Sequence, residues 1–253
     1  MNRMCIMALL ALSAASCSIF EDRSLCPAFV ALDLEYQPER SHDASFKLMR
    51  WTDGRLVEMS DRIYSESQHS YDIPVDDGMN DIVALSPCDT ARLDEECGKI
   101  VIPLGEQHNP FYGLSGRFFI SGNDVSMKGT LHKQFTRLRF RLKRVPCHDY
   151  SVVVESDVCG VYTRTLEPVR GAFLHEFPTM EEIYECILPR QFDDSDIRIV
   201  IRNNNPDNKE KDIIIPLGES LRRERYDWAY PELADIYAYV DVVAELTVIQ
   251  IIQ

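Results

Sequence analysis

Residues 136–144 read TRLRFRLKR, and this alternation indicates the fold class. Basic side chains stand at every second position, while Leu138, Phe140 and Leu142 fill the positions between them. Successive side chains of a β-strand point to opposite faces of its sheet, so a period of two predicts a strand with one apolar and one basic face. The basic face would carry the four residues Arg137, Arg139, Arg141 and Lys143.

Short strand-like runs continue on both sides of this segment. Residues 27–36 (PAFVALDLEY) alternate in a similar way, and residues 45–51 and 55–59 flank an Asp-Gly turn that is typical of a hairpin. Turn residues separate such runs at short, fairly even intervals, which favours antiparallel sandwiches over βαβ units. We predict helical turns only at residues 179–186 and 231–237. The sequence therefore predicts an all-β protein.

One short sequence occurs twice. Residues 100–106 (IVIPLGE) recur as residues 213–219 (IIIPLGE), with six of seven residues identical and an offset of 113. This offset matches one small domain, so an internal duplication would give two similar antiparallel β-sandwich domains in tandem, at residues 26–121 and 122–253. The alternative is convergence on a common strand end, where proline removes a ladder donor and glycine permits the turn.

The N-terminus resembles an export signal. Residues 1–17 read MNRMCIMALLALSAASC, with one basic residue, an apolar run too short to span a bilayer and a run of small residues. Small residues directly before Cys17 resemble a bacterial lipobox, in which the cysteine is lipidated and becomes the first mature residue. We predict a signal peptide over residues 1–16, a palmitate-bearing lipid anchor on Cys17 and a tether over residues 17–25. The alternative is ordinary cleavage near Ala15.

The charge balance excludes one class of partner. The 253 residues include 27 Lys and Arg and 41 Asp and Glu, which gives a net charge of −14 at pH 7. Removal of residues 1–16 takes away Arg3 and no acidic residue, so the mature charge becomes −15. Nucleic-acid binding needs a surplus of Lys and Arg against the phosphates, and we expect none here. No later stretch reaches the roughly 18 apolar residues of a membrane-spanning helix.

Cysteine usage suggests disulfides. Of eight cysteines, Cys5 leaves with the signal peptide and Cys17 takes the lipid, which leaves an even number in an exported protein. Buried free thiols are the alternative. The proposed pairings, two of which close short loops, are Cys88 with Cys97, Cys147 with Cys159, and Cys26 with Cys186.

The sequence carries no catalytic signature. The GxSxG, HExxH and P-loop patterns are absent, and the six histidines do not cluster at metal-ligand spacing. Residues 193–196 (DDSD) lack the glycine turn and distal glutamate of an EF-hand loop. We therefore expect no enzyme activity, no metal, no cofactor and no small-molecule substrate. The basic stripe is either a solvated sheet face over a core face or a surface that docks an acidic partner subunit.

Several segments together resemble the FimB-like minor fimbrial anchor lipoproteins. Residues 17–27 combine the lipobox cysteine, an acidic tether and a Cys-Pro pair that opens the first strand. Residues 112–139 are similar to that family's interdomain region, and the closing pattern of IPLG, residues 226–227 and residues 235–237 before an apolar strand also fits. Only Cys17 is carried over as a functional residue.

This resemblance implies two transthyretin-like β-sandwich domains in an outer-membrane lipoprotein. Such a protein would sit at the base of a fimbria, hold it to the cell, limit its length and bind fimbrial shaft or accessory subunits. Two other functions remain open. One is a polymerising shaft or tip subunit of the same fold, cut after Arg23 or Arg50. The other is a surface glycan-binding lipoprotein that stacks sugars on its aromatic residues, among them Trp51, Tyr64, Tyr112, Trp228 and Tyr230.

Overall fold

The computed structural model describes residues 28–35, 45–65, 67–87, 93–94, 98–107, 109–146, 149–204 and 212–252. Within these ranges the chain forms eighteen strands and one short helix, so the predicted all-β class is confirmed. The first ten strands are β1 (Ala28–Leu34), β2 (Ser45–Thr52), β3 (Arg55–Ile63), β4 (Ser70–Val75), β5 (Gly78–Ser86), β6 (Leu93–Asp94), β7 (Lys99–Val101), β8 (Tyr112–Ile120), β9 (Val125–Gly129) and β10 (His132–Lys133). The others are β11 (Phe135–Lys143), β12 (Tyr150–Tyr162), β13 (Pro168–Phe177), β14 (Tyr184–Pro189), β15 (Arg198–Asn203), β16 (Ile213–Ile215), helix α1 (Leu217–Arg223), β17 (Asp235–Asp241) and β18 (Leu246–Ile252).

Two sheets form the first sandwich, with strand orders β4–β1–β9 and β10–β8–β5–β2–β3. Their inner faces share one apolar core, in which Leu32, Leu48 and Ile82 are almost completely buried. Strand β1 alternates buried and partly or fully exposed side chains along its length, as its sequence period predicts.

The second sandwich repeats this arrangement. One sheet has the order β14–β11–β17–β18, and the other has β16–β15–β12 with β13 on the far side of β12. The order β4–β1–β9 thus corresponds to β14–β11–β17, and β8–β5–β2–β3 corresponds to β16–β15–β12–β13. Its core is centred on Phe140, whose ring stacks on Tyr184 with centroids 4.9 Å apart. The predicted pair of similar sandwiches is confirmed in strand order.

Each sandwich contains one parallel strand pair, which the sequence did not predict. Strand β1 pairs in parallel with β9, and β11 pairs in parallel with β17. In both cases the first strand of the sandwich lies between an antiparallel and a parallel neighbour. A parallel pair needs a crossover connection, so the alternation within one strand carries no information about it.

Four strands lie on the opposite side of the predicted division, between residues 121 and 122, from the sandwich that they join. Strands β9 and β10 follow that point, yet they pair with β1 and β8 of the first sandwich. Strands β6 and β7 precede it, yet β7 pairs with β12 of the second sandwich. This corrects the division at 121 and 122, because the chain enters the second sandwich between β5 and β8 and then returns.

An apolar cluster joins the two sandwiches where the chain crosses. Trp51, Val83, Ile100 and Val161 are all buried in it. Gly160 permits the close approach of β7 to β12, since a Cβ at this position would lie 2.0 Å from the carbonyl oxygen of Ile100. The crossing segment is therefore packed between the sandwiches as part of their contact.

The two copies of the repeated sequence adopt different structures. In the first copy, Leu104 is 65% exposed and Gly105 turns with a φ of +86°. In the second copy, Leu217 begins α1 and is completely buried. Both copies lie in the sheet of the second sandwich, on β7 and β16, so they do not mark equivalent positions of two domains. The duplication inferred from this sequence is wrong, although the strand order is repeated.

Helix α1 was not predicted, and the two helical turns that were predicted are wrong. Strand β14 begins within residues 179–186, and β17 begins within residues 231–237. Over the described ranges, no helix is both long enough and apolar enough to cross a membrane.

Candidate docking face

Strand β11 carries the predicted basic stripe on the outer face of the sheet β14–β11–β17–β18. Leu138 and Phe140 are completely buried beneath it, in the second core. On the opposite face, Arg137, Arg139 and Lys143 are exposed and Arg141 is half-buried. The predicted faces of the strand are thus observed, while a docking role for these four residues stays a prediction.

Two of the four basic residues form ion pairs within the chain. Arg139 Nε lies 2.7 Å from Glu185 Oε2 on the neighbouring β14, and this hydrogen bond raises the pKa of Arg139. Arg141 Nη2 lies 3.1 Å from Glu182 Oε1. Water screens such exposed pairs, so their carboxylates can be exchanged for those of a partner at small cost.

The other two basic residues stand at the ends of the stripe. Among the described residues, neither Arg137 nor Lys143 has a carboxylate within 4.0 Å of its charged group. Lys143 Nζ instead lies 6.0 Å from the ring centroid of Tyr239, near the limit of a cation–π contact. These two charges are available to a second molecule.

The carboxylates at the two ends of β17 interact mainly with basic residues outside the stripe, although Asp235 also accepts a hydrogen bond of 3.1 Å from the backbone N–H of Arg137 and Asp241 is also attracted by Lys143. Asp235 Oδ1 accepts a hydrogen bond of 2.5 Å from Lys133. Asp241 accepts two hydrogen bonds from Arg144, which lowers the pKa of Asp241.

Aromatic and aliphatic side chains continue the face beyond the stripe. The parallel register places Tyr237 beside Arg139 and Tyr239 beside Arg141. Strand β18 then adds Val248 opposite Tyr239, with Leu246 and Ile252 on the same side. We define the docking face as the four basic residues with these five neighbours. Sequence reasoning missed the neighbours, because the alternation of β17 and β18 was visible but their position beside β11 was not.

Among the described strands, the docking face ends at the edge of its sheet. Strand β18 is the last strand of its sheet, and its outward-facing Leu246 and Val248 are 53% and 51% exposed. Edge strands usually carry charges or are covered, because their free backbone groups pair readily with other chains. Arginine and aromatic residues are also enriched in protein interfaces. This composition favours a contact role for the face, which stays a prediction.

The cysteine pairings are corrected for two residues. Cys159 and Cys186 are buried free thiols, so the predicted pairs with Cys147 and Cys26 are wrong. Cys186 lies in the second core. Cys159 is packed tightly against Gly171, where a Cβ would lie only 2.5 Å from the sulfur of Cys159. Burial raises the pKa of both thiols. The remaining cysteines, whose pairings stay outside the described residues, are Cys26, Cys88, Cys97 and Cys147.

The predicted lipid anchor and the acidic segment at residues 193–196 lie outside the docking face. Cys17, the signal peptide over residues 1–16 and the tether over residues 17–25 lie outside the described residues and stay predictions. Within the described residues, no three His, Cys, Asp or Glu side chains are grouped so that they could hold a metal ion. Asp194 and Asp196 form ion pairs with arginines instead.

The aromatic residues considered for sugar stacking are mostly core residues. Trp51, Tyr64 and Trp228 are each less than 10% exposed. Tyr112 is half-buried, whereas Tyr230 is 52% exposed. The three buried rings are therefore not accessible for stacking on a ligand.

Comparisons with known proteins give a result at the level of structure only. No family model and no curated protein sequence matches this chain. Solved structures do match. The chain has the fold of a fimbrial anchor protein. The fimbrial anchor protein Mfa2 from Porphyromonas gingivalis matches with a TM-score of 0.58 and 12% sequence identity, covering 89% of this chain and 97% of that one.

Two further structures share this fold. A Bacteroides thetaiotaomicron protein named for polysaccharide binding matches with a TM-score of 0.58 and 11% identity, over 89% of this chain and 98% of its own. An adhesin-type protein from Bacteroides ovatus matches with a TM-score of 0.55 and 12% identity, over 85% and 88%. These structural matches establish the shared fold. At such low sequence identity they do not establish a shared function, which has to be argued from the residues.

Proposed function

We propose that this protein is an outer-membrane lipoprotein that anchors a fimbria to the cell surface and limits its length, without a catalytic role. Two features support the proposal besides the docking face. The fold is shared with a fimbrial anchor protein over nearly the whole of both chains. The sequence also places a lipobox-like run directly before Cys17.

The docking face is the observation that carries the proposal. In a chain with a net charge of −14, it concentrates cations on one sheet face, and two of them lack an internal carboxylate partner among the described residues. An acidic surface on a fimbrial subunit would complement it, which favours a specific orientation and a fast association. The tyrosine rings and aliphatic side chains beside the stripe supply apolar area that a partner can bury.

The order of the parts along the chain suits an anchor. The lipid site at Cys17 precedes β1, which begins at Ala28 in the first sandwich. The docking face belongs to the second sandwich. In this proposal, the membrane attachment precedes the first sandwich and the partner binds to the second.

Charge reversal tests the docking role. We expect Arg137→Glu combined with Lys143→Glu to reduce co-purification of the fimbrial subunit at least tenfold, because both changes place a negative charge on a surface that needs a positive one. Neither change breaks an ion pair of 4.0 Å or less in the described chain, although Lys143→Glu also removes an attraction to Asp241, so we expect the melting temperature to fall only slightly. The matched control is Arg55→Glu with Arg223→Glu, two exposed arginines that are not among the residues of the docking face. Equal co-purification of both double variants with the wild type would refute the role.

Fractionation and mass spectrometry test the anchor. We expect Cys17→Ala to move the protein from the detergent-extracted membrane fraction to the periplasm or medium, since the lipid chains supply the membrane affinity. Protein isolated from native fimbriae should begin at a lipidated Cys17. A mature start just after Arg23 or Arg50 would instead identify a polymerising subunit of the same fold.

A further inference from the structure

A small pocket lies near the end of the sheet β14–β11–β17–β18, outside the docking face. It has a volume of about 170 Å³ and is lined by Arg225, Tyr226, Asp227, Tyr230, Ala234 and Ile251. Sites for drug-sized ligands are typically roughly 300–1,000 Å³. This pocket therefore suits a ligand the size of one small ring.

The loop that forms the pocket is held in place by a partly buried arginine. Arg190 Nη1 donates hydrogen bonds to the carbonyl oxygens of Trp228, at 2.6 Å, and Tyr230, at 3.1 Å. Asp227 Oδ1 accepts a hydrogen bond of 2.9 Å from the backbone of Ala229. Tyr226 packs against Trp228 with ring centroids 4.5 Å apart. The pocket wall is thus preorganised, which lowers the entropy cost of binding.

Three polar groups at the pocket have no partner in the described part of the chain. They are the guanidinium of Arg225, the second carboxylate oxygen of Asp227 and the hydroxyl of Tyr230, whose side chain is 52% exposed. Arg225 has a φ of +58° because it terminates α1: its backbone N–H donates to the carbonyl of Arg222, and that of Tyr226 donates to the carbonyl of Leu221. The backbone is fixed, while the side-chain donors and acceptors remain open.

A larger pocket elsewhere lacks these properties. It measures about 400 Å³ and lies against β12, β13 and β15, with Arg170 and Arg198 in its lining. Arg170 pairs with Asp157 and Asp194, and Arg198 pairs with Asp196. Its two arginines already have partners inside the protein, and no aromatic ring lines it, so it offers less to a ligand.

We propose that the pocket between Arg225 and Tyr230 binds one neutral hexopyranose unit. A sugar ring presents an apolar C–H face, which suits the exposed ring of Tyr230, and hydroxyl groups that both donate and accept. Asp227 would accept from two of these hydroxyls and Arg225 would donate to a third. One positive and one negative group balance each other, so a neutral sugar is favoured over a charged one. This inference goes beyond the proposed anchoring role and is independent of it.

Titration of methyl glycosides into the purified full chain tests the inference. We expect saturation-transfer NMR to detect at least one of the methyl glycosides of glucose, galactose and mannose, with a dissociation constant of about 1–10 mM, as befits a small ligand. Tyr230→Ala should weaken binding roughly tenfold or more, since it removes the aromatic face. Arg225→Gln should also weaken it, without the loss of an internal bond.

The matched control is Tyr162→Ala, at another exposed tyrosine that is 42% exposed and lies outside the pocket. It should bind the glycoside as the wild type does. Three results would overturn the inference. One is the absence of saturable binding for all three glycosides. Another is equal binding by the Tyr230 and Tyr162 variants. The third is binding of methyl glucuronide alone, which would show a charged ligand.

Discussion

Arg190 is predicted to stabilise the second sandwich more than any exposed arginine does, because it crosslinks three segments. Its guanidinium donates to Gln134 Oε1 at 3.1 Å, to the carbonyl of Lys133 at 2.8 Å and to the carbonyl of Trp228 at 2.6 Å. It also reaches the more exposed carbonyls of Tyr230 and Pro231. Desolvation by partial burial lowers the pKa of Arg190, because it disfavours the charged form.

The change to test is Arg190→Met, which keeps an unbranched apolar stem and removes every donor. Three partly buried acceptors then lose their partner, at about 1 kcal/mol each or more, while the two exposed carbonyls regain water. Relief of the buried charge offsets part of this loss. We expect the free energy of unfolding to fall by about 2–4 kcal/mol. The free energy of unfolding of Arg190→Lys should lie between those of Arg190→Met and the wild type, because an ammonium group has three donors and a guanidinium group has five.

Urea unfolding measured by tryptophan fluorescence provides the assay. The chain has two tryptophans, of which Trp228 lies in the second core and Trp51 in the cluster between the sandwiches. A Trp51→Phe background therefore isolates the signal of the second sandwich. Arg223→Met, at an exposed position, should change the midpoint little and serves as the control. A loss below about 1 kcal/mol for Arg190→Met would refute the crosslinking argument.

Two further predictions follow from other contacts. Gly160→Ala should destabilise the protein by about 2–3 kcal/mol in the same urea assay, because its Cβ would meet the carbonyl oxygen of Ile100 at 2.0 Å. A neutral effect would show that β7 can move away without cost. Asp241→Asn should be less stable than the wild type near pH 7, and this difference in the free energy of unfolding should shrink as the pH falls below about 4. The reason is that Arg144 lowers the pKa of Asp241 in the folded state. Stabilisation by this carboxylate is present above its unfolded pKa and is lost as pH falls through the folded one, so a difference that grows with acid would contradict it.

The sequence predicted which side chains of a strand face the core, but it did not predict which strands lie next to each other. The period of two in residues 136–144 determined which side chains face the core, because burial follows directly from strand geometry. It could not show that β17 lies in parallel beside β11, since that pairing depends on a crossover of about a hundred residues. The docking face therefore became visible only in part, as the stripe without its tyrosine and aliphatic neighbours.

Identical short sequences also failed as a guide to equivalent positions. Leu104 and Leu217 occupy the same place in the repeated IPLGE sequence, yet one is exposed in a turn and the other is buried at the start of a helix. Leu217 is buried because α1 packs against the second core. Local sequence propensity does not contain this tertiary contact, so it could not distinguish Leu217 from Leu104. The same reasoning explains the cysteines, since spacing in sequence does not show which way Cys159 and Cys186 point.

The crossing segment bears on how an anchor would carry load. Under the proposed function, tension enters at the tether before the first sandwich and leaves through a partner on the second. A single covalent linker would let the sandwiches separate under such tension. Here, residues 98–105 also bond to the second sandwich, with Ile102 N donating to the carbonyl of Cys159 at 2.7 Å and Gly105 N donating to that of Leu174 at 3.1 Å. Separation therefore requires the rupture of β7 from β12 and the exposure of the cluster around Trp51, which costs far more than extending a linker.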